Sequence, residues 1–198
     1  MIVCERRKLV FLHIPKTAGT SLGEALGFGA QIPHRHAVNV STARRYPDFL
    51  RFCFVRNPWD RAVSAFLYSR RMAARGVFNG DPARDFLRER GDVDFRTFAA
   101  GFLTRAAAAQ SLHFREQTHW IRRGEPQFIG RVERMAADVA LLARLIGEPI
   151  EIRRSNESSA ERPYAAHYDA PTRELVGRIY RNDVALLGYD GVGASGQR

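Results

Sequence analysis

The densest chemistry in the chain lies in the run LVFLHIPKTAGTS, Leu9 to Ser21. An apolar stretch ends at Ile14, and Lys16, Thr17, Ala18, Gly19, Thr20 and Ser21 follow before an amphipathic stretch opens. A buried strand, a tight loop and a helix start in that order make an anion cradle, because backbone N–H groups at a helix N-terminus point at the ligand. The amides of Thr17 to Ser21 would surround the oxygens, and the hydroxyls of Thr20 and Ser21 would add donors. Lys16 supplies a full positive charge. Lys8 and Lys16 are the only lysines, so every other cation is arginine. A lysine inside the loop of an arginine-rich chain points to a need for a compact charge there. The nucleotide-binding order GxxxxGK[ST] places lysine after its second glycine, whereas Lys16 precedes Gly19, which argues against a magnesium-nucleotide loop. The same spacing also fits a strand–turn–helix corner with a surface lysine.

A second run, CFVRNPWDRAVSAF from Cys53 to Phe66, repeats the pattern of strand, turn and helix start. Arg56 stands where the strand ends, which in parallel sheets is where ligands bind. Its guanidinium can hold a phosphate through two hydrogen bonds, and Ser64, two turns later, can add a hydroxyl. An Arg56–Asp60 ion pair is the competing reading. No set of Asp, Glu, His or Cys has metal-ligand spacing, which agrees with a metal-free site.

The elements that must position these residues follow from pattern. Leu9–Ile14 and Phe49–Val55 read as buried strands, and Thr20–Leu26 as a helix broken by Gly27 and Gly29. Gln31–Val40 reads as a polar loop and Ser41–Pro47 as a short helix. Asn57 can cap a helix that has Pro58 at its first position and Asp60 three residues after the cap. Gly76–Asp94 is polar and mixed in charge, and reads as an irregular insertion. Phe95–Gly101 and Ala106–Ile121 read as helices, Gln127–Gly130 as a strand, and Arg131–Ile146 as an amphipathic helix ended by Gly147. Ile150–Ile152 reads as a further strand, 155–167 as a polar loop, and Pro171 opens a last helix closed by Gly188. Strands alternating with helices imply an α/β fold, a P-loop-like three-layer sandwich with a central, mainly parallel sheet flanked by helices.

At 198 residues and 45% hydrophobic content the chain suits one domain over 1–198, with 191–198 a disordered tail. The net charge of +10 implies a polyanionic partner, but the arginines are spread along the chain, which argues against a nucleic-acid-binding module. No window is apolar enough to span a bilayer and no signal peptide precedes the first strand, so the expected location is cytoplasmic. Cys4 and Cys53 sit in or beside apolar runs and read as reduced thiols.

Taken together, HIPKTAGTS and FVRNPWDRAVSAF resemble the carbohydrate sulfotransferases that use 3′-phosphoadenosine 5′-phosphosulfate (PAPS), in their bacterial and type-2 Golgi branches. QFIGRVERMAADVALL and YDAPTRELVGRIYRNDVALLGYD continue the resemblance in the same order. The resemblance implies that Lys16, Thr17, Ala18, Gly19, Thr20 and Ser21 hold the 5′-phosphosulfate, and that Arg56 and Ser64 hold the 3′-phosphate. His34 and His36, in PHRHAVNV, look like a histidine loop that some members place beside the acceptor hydroxyl, with His36 the better match. It implies PAPS as co-substrate, 3′,5′-adenosine bisphosphate (PAP) as product, and a carbohydrate or glycolipid acceptor. Sulfuryl transfer is an in-line displacement with charge building on the leaving phosphate; Lys16 and the loop amides suit that charge, and a histidine titrating near neutrality suits the acceptor proton.

Other polar residues carry weaker readings. His113 and Gln117, one turn apart on a helix in this reading, could reach the acceptor or the nucleotide, or be a helix surface or a satisfied polar pair. His119 and His167 read as surface histidines, Arg131 and Glu133 as structural ion pairs, and Arg153 and Arg154 as a solvated face or an anion contact. A nucleotide kinase shares the strand–loop–helix logic, but it lacks here both the Gly-Lys-Ser/Thr order and a metal-binding Asp after the second strand, where Arg56 stands instead.

Overall fold

A computed structural model describes residues 1–28, 45–152 and 163–190. In chain order the elements are β1 (Ile2–Cys4), β2 (Leu9–Phe11), α1 (Gly19–Ala25), β3 (Leu50–Val55), α2 (Pro58–Ala74), α3 (Pro82–Arg90), α4 (Phe95–Phe102) and α5 (Arg105–Gln110). They continue with α6 (Thr118–Gly124), β4 (Phe128–Arg131), α7 (Met135–Ile146), α8 (Ala170–Ile179) and α9 (Arg181–Leu187). The chain packs as two compact units, Met1–Arg56 with Gln117–Glu157, and Asn57–Glu116 with Ser158–Arg198.

The first unit is built on a four-stranded sheet in the order β1-β2-β3-β4. β2, β3 and β4 run parallel, and β1 is antiparallel to β2. Alternation along parallel strands sends Phe11, Phe52 and Phe54 to one face, where Leu22, Leu26, Val139 and Leu142 of α1, its C-terminal end and α7 bury them. Phe11 and Phe52 stack at 4.9 Å. Leu12 points to the other face and meets α6, where a Cβ on Gly124 would lie 2.3 Å from Leu12 Cδ1. Helices on both faces of a mostly parallel sheet make the α/β fold that the alternation of elements implies.

β1 is absent from the sequence reading, which ran the N-terminus directly into the next strand. Glu5–Lys8 turns between them, with Lys8 at φ 52°. Ile150–Ile152 does not form a strand; Ile150 and Ile152 pack against the first-unit core from irregular chain.

The second unit is helical around a phenylalanine cluster. Phe98 lies 5.0 Å from Phe66, 5.0 Å from Phe102 and 5.3 Å from Phe114, ring to ring. Each such burial contributes about 1.5–3 kcal/mol. α2 starts as its sequence requires: Asn57 Oδ1 accepts from the amides of Trp59 and Asp60, with Pro58 at the first turn.

The segment 76–94 corrects its reading as an irregular insertion, because it contains α3. Asp81-Pro82 is the same cap-and-proline start as Asn57-Pro58, and the apolar Ala83 and Leu87 are buried. Ala106–Ile121 is two helices and not one. The chain leaves helix at Ser111, whose hydroxyl donates to Asp81 Oδ1 at 2.6 Å, and buries Phe114 before α6 begins. The last helix is likewise divided at the buried Tyr180, whose backbone (φ −96°, ψ 28°) separates α8 from α9. No helix among the described residues is long and apolar enough to cross a membrane. Cys53 is buried in β3, which pushes its thiol pKa up; Cys4 is partly exposed, and neither forms a disulfide.

Asp81 ties three of these pieces together. Its carboxylate caps α3 through Ala83 N, accepts from Ser111, and lies 3.6 Å from His113 Nδ1. Burial raises its pKa, but the His113 imidazole beside it and the hydrogen bonds from Ser111 and Ala83 outweigh that and hold it below the usual carboxylate range. A lowered folded pKa means that this stabilisation is present above the unfolded value of about 3.9 and is lost as pH falls through the folded value. Asp81→Ala is expected to cost about 1–2 kcal/mol at pH 7, read by urea denaturation, and the gap to wild type should shrink as pH falls from 5 towards 2.

Candidate functional site

Parallel pairing decides where the two anion-binding candidates stand. β2 and β3 are adjacent, with Leu9 opposite Leu50 and Phe11 opposite Phe52. The bond from Leu12 N to Phe52 O carries the pairing one residue further. The chain segments leaving the two strands therefore emerge at the same sheet edge. Lys16 follows β2 and Arg56 follows β3. Arg56 Nη1 lies 3.5 Å from the backbone carbonyl of Lys16.

The loop after β2 is bent by two non-glycine residues in left-handed backbone, Lys16 at φ 70° and Ala18 at φ 59°. Left-handed residues within a turn draw successive N–H groups into one concavity, a form that suits anions. Three contacts hold the bend. Thr17 is fully buried and its hydroxyl donates to Ile14 O at 2.9 Å. That hydroxyl is engaged by its own loop, so a role of Thr17 towards an anion falls to its amide. Gly19 lets His13 pack against the loop: a Cβ on Gly19 would sit 1.9 Å from His13 Nε2. His13 is buried and stacks on Phe11 at 5.5 Å. α1 then starts from Ala18 with no side-chain cap. Ser21 is buried in its first turns, whereas Thr20 is exposed.

Arg56 is itself clamped. Gln117 is fully buried; its Oε1 accepts from Arg56 N at 2.9 Å and its Nε2 donates to Arg56 O at 2.8 Å. Gln117 is therefore not on a helix surface, and its amide is bonded to the Arg56 backbone. Gln117 also begins α6 without capping it, since its amide is turned to Arg56. β4 ends at the same edge, with Arg131 opposite Val55. The Arg131 amide donates to buried Asp138 at 2.7 Å, which joins β4 to α7.

Of the sequence-predicted residues, Lys16, Thr17, Ala18, Gly19, Thr20, Ser21 and Arg56 all belong to the first unit. Ser64 is on α2 in the second unit and is partly buried. His34 and His36 lie outside the described residues, as do Arg153 and Arg154. His113 is held beside Asp81 and packs on the Tyr68 ring at 4.7 Å. His119 Nδ1 meets Arg123 at 2.7 Å in an exposed pair. The clamp by Gln117 and the packing of His13 on Gly19 were not read from the sequence; nothing in their spacing marks a glutamine or a histidine for such partners. The second unit also carries a groove of about 910 Å³ lined by Trp59, Tyr168, Arg105, Arg173, Arg178 and Arg181, among others.

A family model described as the sulfotransferase family matches residues 1–190. The chain belongs to the sulfotransferase family. Membership implies transfer of a sulfuryl group from a nucleotide donor to an acceptor. Among individual proteins, an uncharacterized protein of Archaeoglobus fulgidus is 28% identical over 109 residues, covering 54% of this chain and 75% of the relative. No solved structure is significantly similar to this sulfotransferase.

The packing around Gly19 yields a direct test. Gly19→Ala should cost more than about 2 kcal/mol, read by denaturant unfolding, because His13 cannot retreat from a Cβ at that distance in a close-packed core. The paired variant His13→Ala/Gly19→Ala should show a favourable coupling of about 1 kcal/mol or more in a double-mutant cycle.

Proposed function

We propose that the chain transfers a sulfuryl group from PAPS to a hydroxyl of a carbohydrate or glycolipid acceptor. The observation that carries this reading is the approach of Arg56 to the Lys16 loop at the ends of adjacent parallel strands, in a member of the sulfotransferase family. A nucleotide charged at both its 5′ and 3′ positions needs two separated cationic grips. The strained loop with Lys16 suits the 5′-phosphosulfate, and Arg56 suits the 3′-phosphate, with Ser64 as a further donor by its position in the motif.

The chemistry is an in-line displacement. The acceptor oxygen forms a bond to sulfur while the bond from sulfur to the 5′-phosphate oxygen breaks, and the leaving bisphosphate keeps the electron pair. The acceptor proton passes to an imidazole, His36 in this reading, with His34 as the neighbouring candidate. Lys16 and the amides from Thr17 to Ser21 face the charge that grows on the leaving phosphate, and such preoriented donors lower the barrier without rearranging. The competing phosphotransferase reading requires the Gly-Lys-Ser/Thr order that this loop lacks.

PAP is expected to bind in the micromolar range or tighter by calorimetry in the absence of magnesium; no binding of PAP together with magnesium-dependent binding of ATP would sink the reading. In a transfer assay with labelled PAPS, Lys16→Ala should abolish turnover, and His36→Ala should lower kcat by about 10²-fold or more, the range for a lost general base. Wild-type kcat in the His36 variant would remove it from the mechanism.

A further inference from the structure

Arg56 follows the last residue of β3, where the sheet no longer fixes its backbone. Val55 is the last β3 residue in register with β4, opposite Arg131. Beyond it, the backbone N–H and C=O of Arg56 are taken by one side chain, that of Gln117. A primary amide offers a carbonyl acceptor and an N–H donor side by side, the same pair that a neighbouring strand would present. Two bonds of 2.9 and 2.8 Å to one residue's N–H and C=O fix the φ and ψ that aim its side chain. The aim matters here because the guanidinium of Arg56, which is partly buried, is directed to the Lys16 loop, with Nη1 3.5 Å from the Lys16 carbonyl. Gln117 comes from the start of α6, sixty-one residues along the chain from Arg56, and is fully buried. A buried glutamine is costly unless both ends are bonded, and here both ends serve this one residue.

We infer that Gln117 is a positioning residue: it holds the backbone of Arg56 so that its guanidinium meets the 3′-phosphate of the donor. The inference rests on the reading that Arg56 grips that phosphate. Gln117 touches no nucleotide in this scheme and acts through Arg56 alone. Its loss should therefore weaken binding of nucleotides that carry a 3′-phosphate and spare those that lack one.

The experiment measures Kd by calorimetry for PAP and for adenosine 5′-phosphate, which has no 3′-phosphate, in wild type, Arg56→Ala, Gln117→Met, Gln117→Glu and the double variant Arg56→Ala/Gln117→Glu. Gln117→Met matches the length of the side chain without its polar ends, and Gln117→Glu keeps the acceptor for Arg56 N–H while losing the donor to Arg56 O. Far-ultraviolet circular dichroism at the same temperature reports folding. Both Gln117 variants should weaken PAP about tenfold or more, the equivalent of one lost charge-assisted bond, and change adenosine 5′-phosphate by less than about twofold. The double variant should discriminate no worse than Arg56→Ala alone. If wild type does not prefer PAP, or Arg56→Ala keeps the preference, the reading of Arg56 fails. If Arg56→Ala loses the preference while folded Gln117→Glu keeps it, or weakens both nucleotides equally, the inference fails and the reading stands. A Gln117→Glu protein that is unfolded would also overturn the inference, by assigning the residue to stability alone.

Discussion

The parallel pairing of β2 with β3 is the constraint from which the rest of the first unit follows. With Phe11 opposite Phe52, the same alternation that buries three phenylalanines under α1 and α7 sends both strand ends to a single edge. A register shift by one residue would turn each of those rings to the opposite face and move the Lys16 loop relative to Arg56, so core and site are specified by one set of hydrogen bonds. The glycines at the helix and strand contacts obey the same register. Gly130 in β4 leaves room for the Phe54 ring, which would lie 2.4 Å from a Cβ there, and Gly124 leaves room for Leu12.

The loop itself is held against its own preference. Left-handed backbone at Lys16 and Ala18 costs about 1–2 kcal/mol per residue. Such a bend persists where surrounding contacts over-determine it, and here the Thr17 hydroxyl, the His13 ring and the approach of Arg56 do so. The cradle is thus shaped before any ligand arrives, and binding need not bear the cost of ordering the turn.

What the sequence made legible were the features whose chemistry is local. Strand β3, the Asn57-Pro58 start of α2 and the Gly147 end of α7 each declare themselves within a few residues, and the structure has them within a residue or so of where pattern puts them. α3 carries an equally local signal in Asp81-Pro82, and its polar composition masked it. The break at Ser111 depends on a distant partner, Asp81, and the break at Tyr180 on the burial of that residue's own ring, while helical periodicity continues across both. The same holds at the site. Lys16 and Arg56 stand out because their charges sit at strand ends, whereas Gln117 becomes meaningful only once α6 folds back against β3. Residues that bear charge are readable one at a time; residues that aim them are not.

The contrast between the two cysteines has a practical side. Cys53 lies within β3 with a thiol that burial keeps protonated, while Cys4 is on an edge strand and partly open to solvent. Thiolate is the nucleophile towards maleimides and iodoacetamides, so a folded molecule offers those reagents a single address. A fluorophore or spin label placed there would report on the sheet's β1 edge without engineering either cysteine away, and late modification of Cys53 would clock the opening of the sheet interior.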